Sequence, residues 1–261
     1  MIGFLLRKTL YDLWDNMFKI VTLNIGFVAC TAIPIFLPVL VSKFIDSIAV
    51  DLVIIAFGIL ICSLYLSAAS FSIKVISDYG NFTFADFIKS FKVTWISGII
   101  MAGFVFLIFM IVTVVIPFYL TMQPPAAGLA LCAVIFWTAV FALLSFQFYY
   151  TVFSRLGEKP IKSIKKCLLI SIDNTGFSVF MFIHNVIALL LSAVLAFMFP
   201  GPVGVLLYLD EALRLRLLKY EWLEANPGAN RRKIPWDALL IEDRSKTGTR
   251  SLRNFIFPWK Y

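Results

Sequence analysis

The sequence of 261 residues contains one histidine and four cysteines, and these small numbers limit the chemistry that the chain can carry. Cys30, Cys62, Cys132 and Cys167 are far apart, so neither a disulfide framework nor a cysteine zinc site is expected. The chain also lacks a phosphate-binding Gly-rich loop, a nucleophile elbow and a His-Glu-x-x-His motif. We therefore predict no catalytic residue, no metal and no cofactor in a protein that is not an enzyme.

Charged side chains are also scarce, at 15% of the residues, whereas 61% of the residues are hydrophobic and 27 are Phe. A soluble domain is roughly 45–50% apolar, and this chain exceeds that share by a wide margin. Its mean hydropathy is +0.92. The composition predicts an integral membrane protein whose main partner is the lipid bilayer.

Long stretches without charge mark the predicted spans, because a helix needs about 20 apolar residues to cross a bilayer. Two stretches, 20–41 and 52–73, each have about that length. A third, 93–154, is long enough for two spans and is interrupted by Pro124 and Pro125, which end helices. We predict an all-α membrane protein with six transmembrane helices in domain 1–225, at about 20–41, 52–73, 95–120, 127–153, 175–198 and 203–222.

The sixth span is the least regular, because its apolar part is short and charge begins at Asp210. It could cross with its charges facing protein or water, return as a re-entrant hairpin, or lie flat at the interface. Asp210 and Arg214 are spaced i,i+4 and could partly neutralise each other. We favour a crossing, since it keeps the basic tail on the side of the other basic loops.

Basic residues are distributed asymmetrically along this pattern. Alternate threading of the spans puts 22 of the 23 Lys and Arg residues on one side, and only Lys43 on the other. Basic loops stay in the cytoplasm, so both termini are predicted to be cytoplasmic and the protein to lie in a bacterial inner membrane. The net charge of +8 is then a topology signal and not a sign of nucleic-acid binding, although it also attracts anionic lipid headgroups.

A short motif recurs before two of the odd spans. Ile-Lys-Ser-Phe-Lys occupies 88–92 and Ile-Lys-Ser-Ile-Lys occupies 161–165. The amphipathic segment 10–19 has the corresponding place before the first span. We therefore predict three helical hairpins, each preceded by a cytoplasmic amphipathic helix, with a chance match between two basic loops as the alternative.

Polar residues inside lipid are costly and mark candidate functional positions. The candidates are Asn24, Gln147, His184, Asn185 and the group Asp210, Glu211, Arg214 and Arg216. His184 could relay protons or bind a substrate, whereas the alternative is that His184 and Asn185 hold neighbouring helices together. The four charges between 210 and 216 could line a polar groove open to the cytoplasm, or face water on an interfacial helix.

The last part of the chain, 226–261, is predicted to be a basic cytoplasmic tail. Basic and aromatic residues alternate in it, which is typical of a surface that anchors a partner protein. The tryptophans could equally fold back onto the membrane interface, which indole rings prefer. The candidate partner-docking residues are Arg231, Arg232, Lys233, Trp236, Phe257 and Trp259.

Three short motifs resemble the YesL-like family of bacterial membrane proteins: 13–19 at the entry to the first span, 86–92 before the third, and Pro200-Gly201 leading to Tyr208 and 219–221. The resemblance covers most of residues 1–225. It implies an integral membrane protein associated with carbohydrate-uptake systems, and it assigns no functional residues.

Together these observations predict an accessory or scaffolding subunit of a larger membrane complex, which binds other membrane subunits through its tail and interfacial helices. The alternative is a small secondary transporter or channel that uses His184 and the charges between 210 and 216. An enzyme that acts on lipid is a third hypothesis.

Overall fold

The computed structural model describes residues 1–45, 47–157, 159–231 and 233–248, and every regular element within them is a helix. A five-residue π-helical segment, Ile111–Val115, joins helix Phe84–Met110 to helix Ile116–Leu120 without a break. The helices are α1 (Ile2–Asp15), α2 (Met17–Val41), α3 (Ile48–Ser77), α4 (Phe84–Met110), α5 (Ile116–Leu120), α6 (Pro125–Phe146), α7 (Tyr149–Leu156), α8 (Pro160–Asp173), α9 (Thr175–Val194), α10 (Gly201–Ala225), α11 (Trp236–Leu239) and α12 (Ile241–Thr247).

Five helical segments are long and apolar enough to cross a membrane, judged by length and composition. This confirms the prediction of an all-helical chain with transmembrane helices, while the sixth crossing and the orientation stay predictions. Pro125 begins α6, as expected for the proline turn. The five segments are Met17–Val41, Ile48–Ser77, Phe84–Leu120, Pro125–Leu156 and Thr175–Val194.

Helix α3 is the centre of the fold and packs against α2, α4, α7 and α10. Small side chains make these contacts possible: Gly58 packs on Pro34 of α2, and Gly98 of α4 packs on Leu64. The hydroxyl of Ser67 donates to the carbonyl of Thr94 at 3.2 Å. Small residues are the usual way for membrane helices to approach each other closely, since lipid offers no hydrophobic drive for helices to associate.

The three predicted amphipathic segments differ in outcome: 161–165 lies within the separate helix α8, 10–19 is divided at Asn16 between α1 and α2, and 88–92 is part of α4. Asn16 and Asn174 follow the 14-residue helices α1 and α8 with non-helical backbone angles (φ −110°, ψ 20° and φ −132°, ψ 45°). Residues 88–92 instead form the first turns of α4, so the prediction of a separate helix before the second hairpin is wrong. A capping box between Thr83 and Asp86 starts α4, and no asparagine interrupts it where the apolar run begins.

The buried core lies at one end of the bundle, where α3 ends at Ser77 and α7 ends at Leu156. We call this end the charged end, because Lys8, Arg155 and Asp210 also lie there. Large side chains from four helices, and Leu240 between α11 and α12, are almost fully buried in it: Leu5, Leu13, Ile73, Ile76, Tyr149, Leu207, Leu213 and Leu240. At the opposite end, which we call the far end, are the α2–α3 connection and the α5–α6 turn.

Candidate functional site

Asp210 of α10 is completely buried and pairs with Arg155, close to the end of α7. Its carboxylate accepts hydrogen bonds from Arg155 Nε at 2.9 Å and Nη2 at 2.5 Å. The same guanidinium donates to Asp78 Oδ1 at 3.1 Å and to Ser77 Oγ at 2.7 Å. Arg155 therefore joins α10 to the last residue of α3 and the residue after it.

Glu211 is the next residue of α10 and pairs with Lys8 of α1, which is 1% exposed. Lys8 Nζ also donates to Asp12 Oδ2 at 2.7 Å and to the carbonyl of Ser77 at 3.0 Å. Burial alone would lower the pKa of Lys8, but the Glu211 and Asp12 carboxylates together raise it above the ordinary value. The three donor sites of the ammonium are therefore matched by three acceptors.

Arg214 extends the network to the tail. Its Nη2 donates to Asp243 Oδ1 of α12 at 2.6 Å, and its Nε lies 3.7 Å from Asp78 Oδ1. The Tyr79 hydroxyl is 3.3 Å from the same Asp243 oxygen, and burial raises the pKa of that phenol. Leu240, which precedes α12, is fully buried in the core. The part of the tail up to residue 248 is thus folded against the charged end.

Arg216 is separate from the other charges of α10. Its guanidinium carbon lies 3.7 Å from the ring centroid of Phe177 in α9, and its Nε has no hydrogen-bond partner among the described residues. The predicted group of four charges is therefore three members of an ion-pair network and one cation–π contact. Asp210 and Arg214 do not neutralise each other, since each pairs with a residue from another helix.

The opposite charges in this network were not candidates in the sequence analysis. Lys8 lies 203 residues from Glu211, Arg155 lies 55 residues from Asp210, and Asp243 lies 29 residues from Arg214. No local spacing links such pairs. One signal was available: Arg155 is the first charge after the uncharged stretch 93–154, and a charge at the end of a span needs a partner or water.

Asn24, the first polar candidate, is fully buried in α2 and binds the loop between α9 and α10. Its Oδ1 accepts from the backbone N–H of Val203 at 3.0 Å, and its Nδ2 donates to the carbonyls of Met198 at 3.0 Å and Pro200 at 2.7 Å. Gly201 has φ +64°, and a Cβ there would overlap the Asn24 side chain. Asn24 thus fixes the α9–α10 loop, and only glycine fits beside it at position 201.

The position of Asn24 shows how far the α9–α10 loop extends along the bundle. Asn24 follows Met17, the first residue of α2, by about 10 Å at 1.5 Å per residue. The whole of α2 is about 37 Å long by the same measure. The loop therefore meets the first third of α2 and not its far end at Val41, and α10 runs from there to the charged end.

Gln147, Asn185 and His184 lie where α6, α9 and α10 meet. Gln147 Nε2 donates to the carbonyls of Leu144 at 2.9 Å and Ser178 at 3.0 Å, and its Oε1 is 3.5 Å from Asn185 Nδ2. The His184 ring contacts Tyr208 edge-on at 4.3 Å between centroids. His184 Nδ1 and Asn185 Oδ1 have no hydrogen-bond partner within the described part of the chain.

The predicted docking residues of the tail differ in their surroundings. Arg231 is 80% exposed, with Nη1 3.9 Å from Asp173 Oδ1, and Lys233 is exposed. Trp236 is half-buried and packs against the protein core. Arg232, Phe257 and Trp259 lie outside the described residues.

In residues 1–45, 47–157, 159–231 and 233–248, no three His, Cys, Asp or Glu side chains are grouped so that they could bind a metal ion. No protein-family model matches the chain, and neither a curated protein nor a solved structure is significantly similar to it.

Proposed function

We propose that this chain is a non-enzymatic accessory or scaffolding subunit of a larger complex in the bacterial cytoplasmic membrane. The main support is the ion-pair network of the charged end. Asp210, Glu211 and Arg214 were the strongest candidates for a transport path, and each is engaged by a charge from another helix. Charges that are matched in this way hold helices in fixed positions, which is what a scaffold requires.

The charged end faces the cytoplasm in this proposal, because most of the basic residues lie near it and Lys43 lies at the far end. The contact between Asn24 and the α9–α10 loop favours the re-entrant alternative for α9 and α10 over a sixth crossing. Four helices then cross the membrane, and both termini are cytoplasmic.

Cysteine labelling tests this topology. A variant whose four cysteines are replaced by alanine receives a single cysteine at Leu195, next to the α9–α10 loop, and a membrane-impermeant maleimide is added to the outside of intact cells. Ser42→Cys is the control for the far end and Asn81→Cys for the charged end. We expect labelling at Ser42 only. Equal labelling of Leu195 and Ser42 would support a full crossing and contradict the re-entrant hairpin.

Helix α6 is the best candidate for contact with a partner subunit. It packs against α5 near its start and against α8 and α9 near its end, while Phe136 and Trp137 between them are 51% and 67% exposed. Trp137 lies about 18 Å from the start of α6, near the middle of a bilayer core about 30 Å thick. Tryptophan prefers the headgroup level to the centre of the lipid, so its position favours a transmembrane helix of a partner over lipid.

Native electrophoresis of mildly solubilised membranes tests the accessory role. We expect the wild-type chain to migrate in a complex much larger than its 29.5 kDa. Changing Val134, Trp137 and Phe141 of α6 to alanine should shift the chain to its own size. Changing Val186, Leu190 and Val194, which are similarly exposed on α9, should leave the complex intact. A wild-type chain that migrates alone would overturn the proposal.

The transporter alternative is supported by one observation, which is that His184 Nδ1 and Asn185 Oδ1 have no hydrogen-bond partner among the residues that the structure describes. Proteoliposomes with an enclosed pH-sensitive dye distinguish the two functions. Proton flux that needs the purified chain and disappears in His184→Phe would support transport, whereas no flux above empty liposomes supports the scaffold. The link to carbohydrate uptake, which the resemblance to the YesL-like family implies, stays a prediction.

A further inference from the structure

A groove between α8 and α10 lies apart from the ion-pair network. Its cavity volume is about 440 Å³, which is within the range of small-molecule pockets. One face of α8, with Leu169 and Ile170, forms one wall, and Leu217 and Leu223 of α10 form the other. Leu156 at the end of α7 closes the groove on one side. The walls are therefore mainly aliphatic, as a hydrocarbon chain requires.

The opening of this α8–α10 groove carries two cations, Lys166 and Arg231. The Asp173 carboxylate also lines the groove and is already engaged. It accepts from the Tyr220 hydroxyl at 2.9 Å and lies 3.5 Å from Lys219 Nζ. Arg231 is 3.9 Å from it and 80% exposed, so its guanidinium can turn to another anion at little cost.

The position of the groove selects among anionic ligands. Leu156 ends the fourth candidate span, and Asp173 is two residues before Thr175, the first residue of the fifth. Leu169 and Ile172 of α8 are 55% and 60% exposed. An amphipathic helix at the point where spans enter the membrane lies at the boundary between headgroups and acyl chains. The groove therefore opens where the inner leaflet brings phosphate and hydrocarbon together.

The geometry points to a binding site for one anionic phospholipid of the inner leaflet, with an acyl chain between α8 and α10 and its phosphate on Lys166 and Arg231. Arg and Lys are the side chains that pair with phosphate, and basic pockets beside transmembrane helices are a known way to bind lipid headgroups. This inference depends on the cytoplasmic position of α8, and it holds with or without a partner subunit.

Native mass spectrometry of the full chain, released from nanodiscs of defined composition, tests the site. With equal amounts of phosphatidylglycerol and phosphatidylcholine, we expect one retained phosphatidylglycerol per chain. The double variant Lys166→Gln with Arg231→Gln should lose this retention at least tenfold. Lys162→Gln with Lys165→Gln is the matched control, because it removes the same charge from exposed positions on α8. This control should retain the lipid within twofold of the wild type.

Several outcomes would overturn the inference. Equal loss in the control pair would mean general attraction to a basic surface, and equal retention of phosphatidylcholine would mean that charge does not matter. Displacement of the lipid by millimolar inorganic phosphate would mean a site for free phosphate. The exposed Arg231→Gln variant alone, which is not expected to disturb folding, should lower retention severalfold. Unchanged retention in this variant would contradict the assigned headgroup contact. Since no partner protein is present, the result does not depend on the accessory role.

Discussion

The two ends of this molecule are built on different principles. At the charged end, Leu13 of α1, Ile76 of α3 and Leu213 of α10 are at most 2% exposed, and buried ion pairs join α10 to α1 and α7. At the far end, Phe36 and Val39 of α2 are 64% and 61% exposed. Exposed apolar surface has no hydrophobic cost in lipid. The comparison indicates that the chain's own packing fixes one end, while lipid or partner helices cover the other.

Removing the Asp210 carboxylate should have the largest effect on this comparison. Asp210→Asn leaves Arg155 with part of its charge unmatched in a buried position, and we expect a loss of about 3–5 kcal/mol in unfolding free energy. Asp237→Asn is the matched control, because Asp237 is 92% exposed in its pair with Arg244. The measurement is thermal unfolding in mild detergent, followed by tryptophan fluorescence.

A second variant distinguishes the cost of one unpaired charge from the contribution of the Arg155–Asp210 ion pair itself. Arg155→Met with Asp210→Leu removes both charges, and we expect it to be more stable than Asp210→Asn alone, since replacing both partners with apolar residues removes the unpaired charge. If Asp210→Asn and Asp237→Asn unfolded at the same temperature, the network would contribute nothing and the contrast between the two ends would fail.

A matched pair of leucine substitutions tests whether apolar packing contributes more stability at the charged end than at the far end. Leu213 is 0% exposed at the charged end, and Leu40 is 54% exposed near the far end of α2. We expect Leu213→Ala to cost about 2–5 kcal/mol, because it leaves a cavity in a closed core. Leu40→Ala should cost less than about 1 kcal/mol, because lipid or detergent fills the space. Equal losses in detergent unfolding would contradict the proposed division.

The fold class and most spans could be predicted from the sequence, because lipid imposes a simple rule on charge. An uncharged run of about 20 residues has few alternatives to a transmembrane helix. The α5–α6 turn could also be predicted from local sequence, because Pro124 and Pro125 lack a backbone N–H and end helices. The breaks at Asn16 and Asn174 could not be predicted in this way, since asparagine also occurs within helices, as at Asn24.

Only one side of each ion pair in the candidate site could be predicted from the sequence. The charges of α10 were recognised as unusual because four of them occur within seven residues. Their partners could not be found, since Lys8 and Asp243 approach α10 only when the chain is folded. The function of Asn24 depends on a loop more than 170 residues further along the chain. Long-range pairs of this kind leave no periodic signal in a single sequence.

Asn24→Leu tests the contact that joins the apolar part of α2 to the α9–α10 loop. The change leaves the N–H of Val203 and the carbonyl of Met198 without the Asn24 side chain as partner, whereas the Pro200 carbonyl still accepts from the Gly204 N–H. We expect a loss of about 1–3 kcal/mol in unfolding free energy for each buried group left without a partner. Asn81→Leu, at an exposed position outside the helices, is the control. In the Asn24→Leu background, Leu195→Cys should also become more reactive to maleimide. An unchanged unfolding temperature would mean that the loop is held by packing alone.

The smallest effect is expected at Asp173, which is partly open to water at the edge of the charged end. Partial burial opposes its ionisation, but the Tyr220 hydrogen bond and the Lys219 charge hold its pKa below the ordinary 3.8. A lowered pKa in the folded state means that the ionised carboxylate stabilises the fold above that ordinary value, and that this contribution is lost as the pH falls through the folded value. Asp173→Asn should therefore lower the unfolding free energy by less than about 1 kcal/mol, by a constant amount between pH 5 and pH 8. The difference from the wild type should shrink as the pH falls from 3.8 through the lowered pKa of the folded state, provided that unfolding is measured at constant ionic strength. A difference that grew on acidification would mean that the folded state raises the pKa of Asp173. Burial, and not the neighbouring Tyr220 and Lys219, would then dominate at this position.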